Sequence, residues 1–93
     1  MPKFDVAHLR EQGVDLIIIP LDSSFDAKSG TEQHEVVAEL QTRASSAGLA
    51  GTVVPVWESS GRMTFLAPRN WHSFFQSINF QFIARNINRE LYW

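Results

Sequence analysis

The sequence predicts an α/β fold: a small mixed sheet of about three strands, covered by helices and followed by a helical, aromatic C-terminal segment. Three observations predict it. The run Leu16-Ile17-Ile18-Ile19 is apolar without alternation, the mark of a strand buried on both faces. Val36, Val37, Leu40, Ala44 and Ala47 recur at helical spacing. Thr52-Val53-Val54-Pro55-Val56-Trp57 then reads as a second strand, so the helix joins two strands in a βαβ unit.

Taken in order, Asp5 is an N-cap for a short helix over 6–12, with Val6 and Leu9 as its apolar stripe and Gly13 at its C′ position. The first strand follows over 16–20, and Pro20 marks its exit because proline cannot donate to a ladder. A nine-residue polar loop, 22–30, leads to the main helix. Ser29 and Glu32 have the spacing of a capping box, and Gly48 closes that helix, which spans about 31–47. After the second strand, Glu58-Ser59-Ser60-Gly61 is a turn, and Arg62-Met63-Thr64-Phe65-Leu66 returns as an antiparallel hairpin strand. Pro55 interrupts the second strand, so a bulge or an unpaired stretch is expected there. Beyond Pro68, two short helices joined near Asn79 fit the apolar pattern through Leu91; a fourth strand over 78–83 is the alternative.

The 93 residues fit one domain, 1–93, with apolar residues at 44% and charged residues at 19%. A chain of this length buries about 60–65% of the surface it exposes unfolded. That leaves room for one core and little for a deep enclosed site. With no cysteine, disulfides and thiolate metal sites are excluded. The longest apolar run, 16–21, falls far short of the ~20 residues that span a bilayer. The N-terminus lacks the pattern of a signal peptide, so the expected setting is cytoplasmic, with no membrane partner.

Charge is divided unevenly. Residues 1–66 carry five Lys or Arg against nine Asp or Glu, whereas 67–93 carry Arg69, Arg85 and Arg89 against Glu90 alone. Three arginines are too few to argue nucleic-acid binding from counterion release.

The chemistry-bearing patterns are sparse. His34, Glu35 and Glu39 lack the His-Glu-x-x-His spacing of a zinc site and read as a solvated helix face. No Gly-x-Ser-x-Gly elbow accompanies His8, His34 or His72, so no nucleophile–base pair is identified and no cofactor is implied. Asp22, Ser23 and Ser24 follow the first strand, and Glu58 and Ser59 follow the second. With those strands parallel, all five would lie at the carboxyl edge of the sheet, where open α/β sheets bind ligands. They are also ordinary turn residues, and no glycine-rich phosphate loop accompanies them.

The stretch 68–93 holds seven of the eleven aromatic residues: Trp71, Phe74, Phe75, Phe80, Phe82, Tyr92 and Trp93. Aromatic rings among arginines make up protein-interface hot spots. They also make base-stacking surfaces for RNA, here through Arg69, Trp71, Arg85 and Arg89. The plain alternative is that most of these rings form the core.

The order of strand, long loop, helix ending in glycine and strand is carried by 16–21 and by Ala47-Gly48-Leu49. It resembles the α/β unit of the anticodon-binding domain of class II aminoacyl-tRNA synthetases. The hairpin and the aromatic tail depart from that pattern, so the resemblance implies an α/β unit and no residue roles.

The leading functional reading is a non-catalytic protein-interaction or regulatory domain, a homodimer or bound to a protein partner. Its surface would comprise Arg69, Trp71, His72, Arg85, Arg89, Tyr92 and Trp93. A small-ligand or enzymatic site at Asp22, Ser23, Ser24, Glu58 and Ser59 is the second reading, and RNA binding is the third. Leu91, Tyr92 and Trp93 are expected to bury against the fold or a second subunit.

Overall fold

The computed structural model describes residues 3–92. Its elements are β1 (Lys3–Glu11), β2 (Val14–Pro20), a 3-10 turn (Ser23–Ala27), α1 (Gly30–Ser46), β3 (Thr52–Ser59) and β4 (Arg62–Phe65). A second 3-10 turn (Arg69–Trp71), α2 (His72–Ser77), α3 (Phe80–Arg85) and β5 (Arg89–Tyr92) complete the chain. The fold is mixed α/β, with one five-stranded sheet in the order β4-β3-β2-β1-β5. The expected βαβ unit is present: β2 and β3 pair in parallel from Leu16↔Thr52 to Pro20↔Val56, and α1 connects them. The hairpin strand β4 pairs antiparallel with β3.

Two strands exceed the expected three. The first is β1, where the spacing of Val6 and Leu9 predicted a helix over 6–12. A helix that short does not hold by itself, and here the backbone pairs instead with β2, from Ala7↔Ile18 to Glu11↔Val14. Gln12 and Gly13 both take positive φ, 52° and 78°. That is the two-residue hairpin turn, so Gly13 turns a hairpin rather than ending a helix. Ser60 and Gly61 repeat the geometry at 53° and 79°, and β3 therefore runs on through Glu58 and Ser59, which were expected in the turn.

The second added strand is β5. The helical pattern expected to run to Leu91 stops at Arg85, and 89–92 pair antiparallel with β1 from Val6↔Arg89 to Lys3↔Tyr92. Asn88 steers the chain into that pairing. Its backbone N–H donates to the Val6 carbonyl at 3.0 Å, its side-chain oxygen accepts from the His8 N–H at 2.9 Å, and its side-chain nitrogen donates to the His8 carbonyl at 3.0 Å. The break at Asn79 lies where the sequence placed it, because Asn79 caps α3 by accepting from the Phe82 N–H. Residues 80–83, within the alternative strand, are helical.

Pro55 causes no bulge: β3 is continuous, with Ile19↔Pro55 in register. The Pro55 carbonyl accepts from the Leu66 N–H on the β4 side. Its nitrogen faces the same way, opposite Leu66 just past the end of β4, so the bond that proline cannot donate is missing at the end of that ladder and not from the pairing with β2.

Both faces of the sheet are covered, which accounts for the continuous apolar run. Leu16, Ile17, Ile18 and Ile19 are all fully buried. Leu16 and Ile18 pack with Ala7, Val54, Val56, Trp71, Phe75 and Ile83 beneath α2 and α3. Ile17 and Ile19 pack with Val6, Val53, Leu40, Ala44 and Leu91 beneath α1. Burying each such side chain is worth about 1.5–3 kcal/mol before conformational entropy is subtracted. No helix among the described residues is long and apolar enough to cross a membrane.

Candidate functional site

The parallel pair sets the carboxyl ends of β2 and β3 at one edge of the sheet, as the sequence implied. What gathers there differs in detail from the expected set. Asp22 caps the first 3-10 turn, accepting from the Ser24 N–H at 2.8 Å. Hydrogen bonding from Ser24, chiefly its backbone, holds the Asp22 carboxyl below its ordinary range, so it is ionised at neutral pH. Ser23 is exposed at the start of that turn. Asp22 and Ser24 line a cleft of about 250 Å³ together with Phe4, Leu21, Phe25, Lys28 and Val36.

Glu58 does not join them. Side chains alternate along a strand. Trp57 and Ser59 therefore face the α1 side, and Glu58 faces the α3 side. Glu58 lines a separate cleft of about 220 Å³ with Gly61, Met63, Asn79, Phe80 and Gln81. Ser59 ties back to the 3-10 turn, its hydroxyl donating to Asp26 Oδ2 at 3.0 Å. Asp26 also accepts from Trp57 Nε1 at 3.1 Å, while Phe25 stands edge-on to the Trp57 ring at 4.7 Å between centroids. These bonds fix the turn against β3 and give the cleft a firm wall. Asp26, Lys28, Phe25 and Phe4 escaped the sequence reading. A helix-cap pattern at Asp22 would have found the first three.

The aromatic third divides into an inside and an outside. Trp71 is 7% exposed and Phe75 1%, so both rings belong to the core beneath α2 and α3. With Trp71 inside, it offers no open ring face for a base to stack on. His72 is exposed; its Nε2 meets the Ala67 carbonyl at 3.0 Å, and its ring stands edge-on to Phe65. Arg69 is exposed at the start of the second 3-10 turn. Arg85 lines a shallow cleft of about 290 Å³ with Ser77, Ile78, Asn79, Gln81 and Phe82.

Arg89 and Tyr92 lie on β5, at the sheet's edge. Leu91 buries into the α1-side core at 3% exposure, as expected, whereas Tyr92 stays 70% exposed. Trp93 lies outside the described residues. On β1, Val6 and His8 turn their backbone groups toward β5, where Asn88 meets them. Strand alternation then directs the backbone groups of Arg89 and Leu91 inward to β1, and those of Glu90 and Tyr92 outward. Lys3 pairs with Glu90 at 2.7 Å, and that contact raises the lysine's pKa above its ordinary value.

Among the described residues no three His, Asp or Glu side chains gather as a metal-binding group, and no buried side-chain polar atom lacks a partner. The chain matches no family model, no curated protein and no solved structure.

Proposed function

We propose that this chain is a non-catalytic, cytoplasmic interaction domain whose partner is a second copy of itself, joined through the outer edge of β5. One observation carries the reading. With both faces of the sheet covered, β5 is an edge whose outward backbone groups, at Glu90 and Tyr92, meet no neighbouring strand among the described residues, and Tyr92 is 70% exposed. Such an edge recruits another strand through main-chain hydrogen bonds.

The pattern of β5 selects a register. Two antiparallel copies centred on Glu90 would set two carboxylates opposite each other, which is unfavourable. Centred on Leu91, they set Glu90 opposite Tyr92 of the second copy, and these residues exchange both backbone bonds. The two Leu91 residues then lie directly opposite each other as the non-hydrogen-bonded pair on the two-fold axis, which brings their α-protons close. The interface is self-complementary, as two-fold symmetry requires.

A sample mixing isotope-labelled and unlabelled chains tests it. The expected result is intermolecular NOEs between the Leu91 α-protons of the two copies. A dimer that forms without those NOEs would mean that another surface is used.

A further inference from the structure

We propose that the cleft between β1, the first 3-10 turn and α1 binds a free amino acid with a branched or aromatic side chain. This inference is independent of the β5 interface. Phe4, Leu21, Phe25 and Val36 make an apolar floor, and Asp22, Ser24 and Lys28 stand around it. A cleft of about 250 Å³ is smaller than the ~300–1,000 Å³ typical of drug-sized ligands, which points to a compact occupant.

The charges narrow the class. A simple amine would meet Asp22 and be repelled by Lys28; a simple carboxylic acid would meet the reverse. A zwitterion satisfies both, with its ammonium toward Asp22 and its carboxylate toward Lys28 and the Ser24 hydroxyl. The apolar side chain then covers the floor. Asp22 is already held in its anionic form by Ser24, whose N–H occupies Oδ1, so it meets the ammonium as a charged group. Affinity would come mainly from the covered apolar surface, because exposed ion pairs contribute little. The charges set orientation and exclude the half-matching ligands. The walls are fixed in advance: Asp26 anchors the turn to Trp57 and Ser59, and the Gln33 side chain donates to the Phe25 carbonyl at 3.0 Å.

Amide chemical shifts of the full chain, titrated with L-leucine and L-phenylalanine, test the proposal. Saturable shifts at Ser24, Lys28 and Val36 are expected, with a Kd on the order of 1 mM. Isoamylamine and isocaproate, which each keep one charge, should bind about tenfold more weakly. Asp22→Asn preserves the cap, since asparagine caps as well as aspartate, and Lys28→Gln is an exposed change. Each should weaken leucine about fivefold while leaving the fold intact. The absence of saturable shifts with either amino acid up to about 10 mM would overturn the proposal. So would amine or acid analogues that bind as tightly as the amino acid, or variants that bind leucine unchanged.

Discussion

The two faces of the sheet are covered by different means. On one side lies a single helix of seventeen residues, α1. Ser29 and Glu32 close a capping box at its start, Ser29 Oγ accepting from the Glu32 N–H at 3.1 Å and Glu32 Oε1 accepting from the Ser29 N–H at 3.0 Å. Midway, the Gln41 amide is stapled to the sheet, donating to the Gly51 carbonyl and accepting from the Val53 N–H. On the other side, α2 and α3 have six residues each. Helices that short are not stable alone. Rings hold α2, where Phe75 meets Phe65 at 5.2 Å and Phe74 at 5.1 Å, and Phe74 stands edge-on to Trp71 at 6.0 Å, while α3 is held by Ile83, buried in the same core. The α1 side is therefore built from local signals that packing completes, and the opposite side from packing that creates its local structure.

The largest predicted effects separate these two constructions. Phe75→Ala removes a ring that is 1% exposed and should cost about 3–5 kcal/mol, with the amide protection of 72–85 lost before global unfolding. Leu40→Ala, also at 1% exposure, should cost about 2–5 kcal/mol but leave the α1 protection pattern in proportion to global stability. Chemical denaturation with residue-resolved hydrogen exchange measures both. If Leu40→Ala melted α1 selectively while Phe75→Ala left α2 and α3 protected, the contrast between the faces would be inverted.

A smaller effect is expected at the caps. Ser29→Ala and Asn79→Ala should each lower stability by about 1 kcal/mol, read as a fall of several degrees in Tm. The Ser29 loss should spread along α1, whereas the Asn79 loss should stay within α3.

Acid sharpens the comparison further, with the smallest effect. Hydrogen bonds from Ser24 hold Asp22 below 3.8, and hydrogen bonds from Ser29 hold Glu32 below 4.5. A depressed carboxyl stabilises the fold above its unfolded pKa, and that stabilisation is lost as pH falls through the folded value. Both groups sit at helical starts on the α1 side. The N-caps of α2 and α3 are Trp71 and Asn79, neither of which titrates. Lowering the pH from 6 toward 3 should therefore loosen the amides at the start of α1 before those of α3. Uniform loosening would mean that charge and hydrogen bonding at these caps contribute nothing distinct.

The same contrast explains which parts of the fold could be read from sequence. α1 was legible because its caps and its stripe lie within seventeen residues. β2 and the β3–β4 hairpin were legible from apolar runs and Gly61. β1 and β5 were not, since a strand's pairing partner is distant in sequence. Val6 and Leu9 satisfy helical spacing, yet their side chains go to opposite faces of a strand, Val6 beneath α1 and Leu9 beneath α2 and α3. Only the pairing with β2 and β5 decides between the two. The cleft was half legible: Asp22 and Ser24 stood out as residues after a parallel strand, while Phe4, ahead of the helix expected over 6–12, was placed in no element and belongs to β1. Alternation along β3 separates Glu58 from Ser59, and applying it to the expected strand would have split that pair.

The proposed self-association uses one of the two edge strands of the sheet, β5, and is decided there. Sedimentation equilibrium of the full chain, Glu90→Ala and Glu90→Pro tests it most directly. The Glu90 N–H faces outward, so proline removes an intermolecular donor without breaking the ladder to β1, and alanine controls for the lost pairing with Lys3. The account predicts that the full chain and Glu90→Ala move with concentration from 10.6 kDa to twice that mass, while Glu90→Pro stays at 10.6 kDa. A full chain that remained at 10.6 kDa, or a proline variant that doubled its mass as readily as the others, would contradict it.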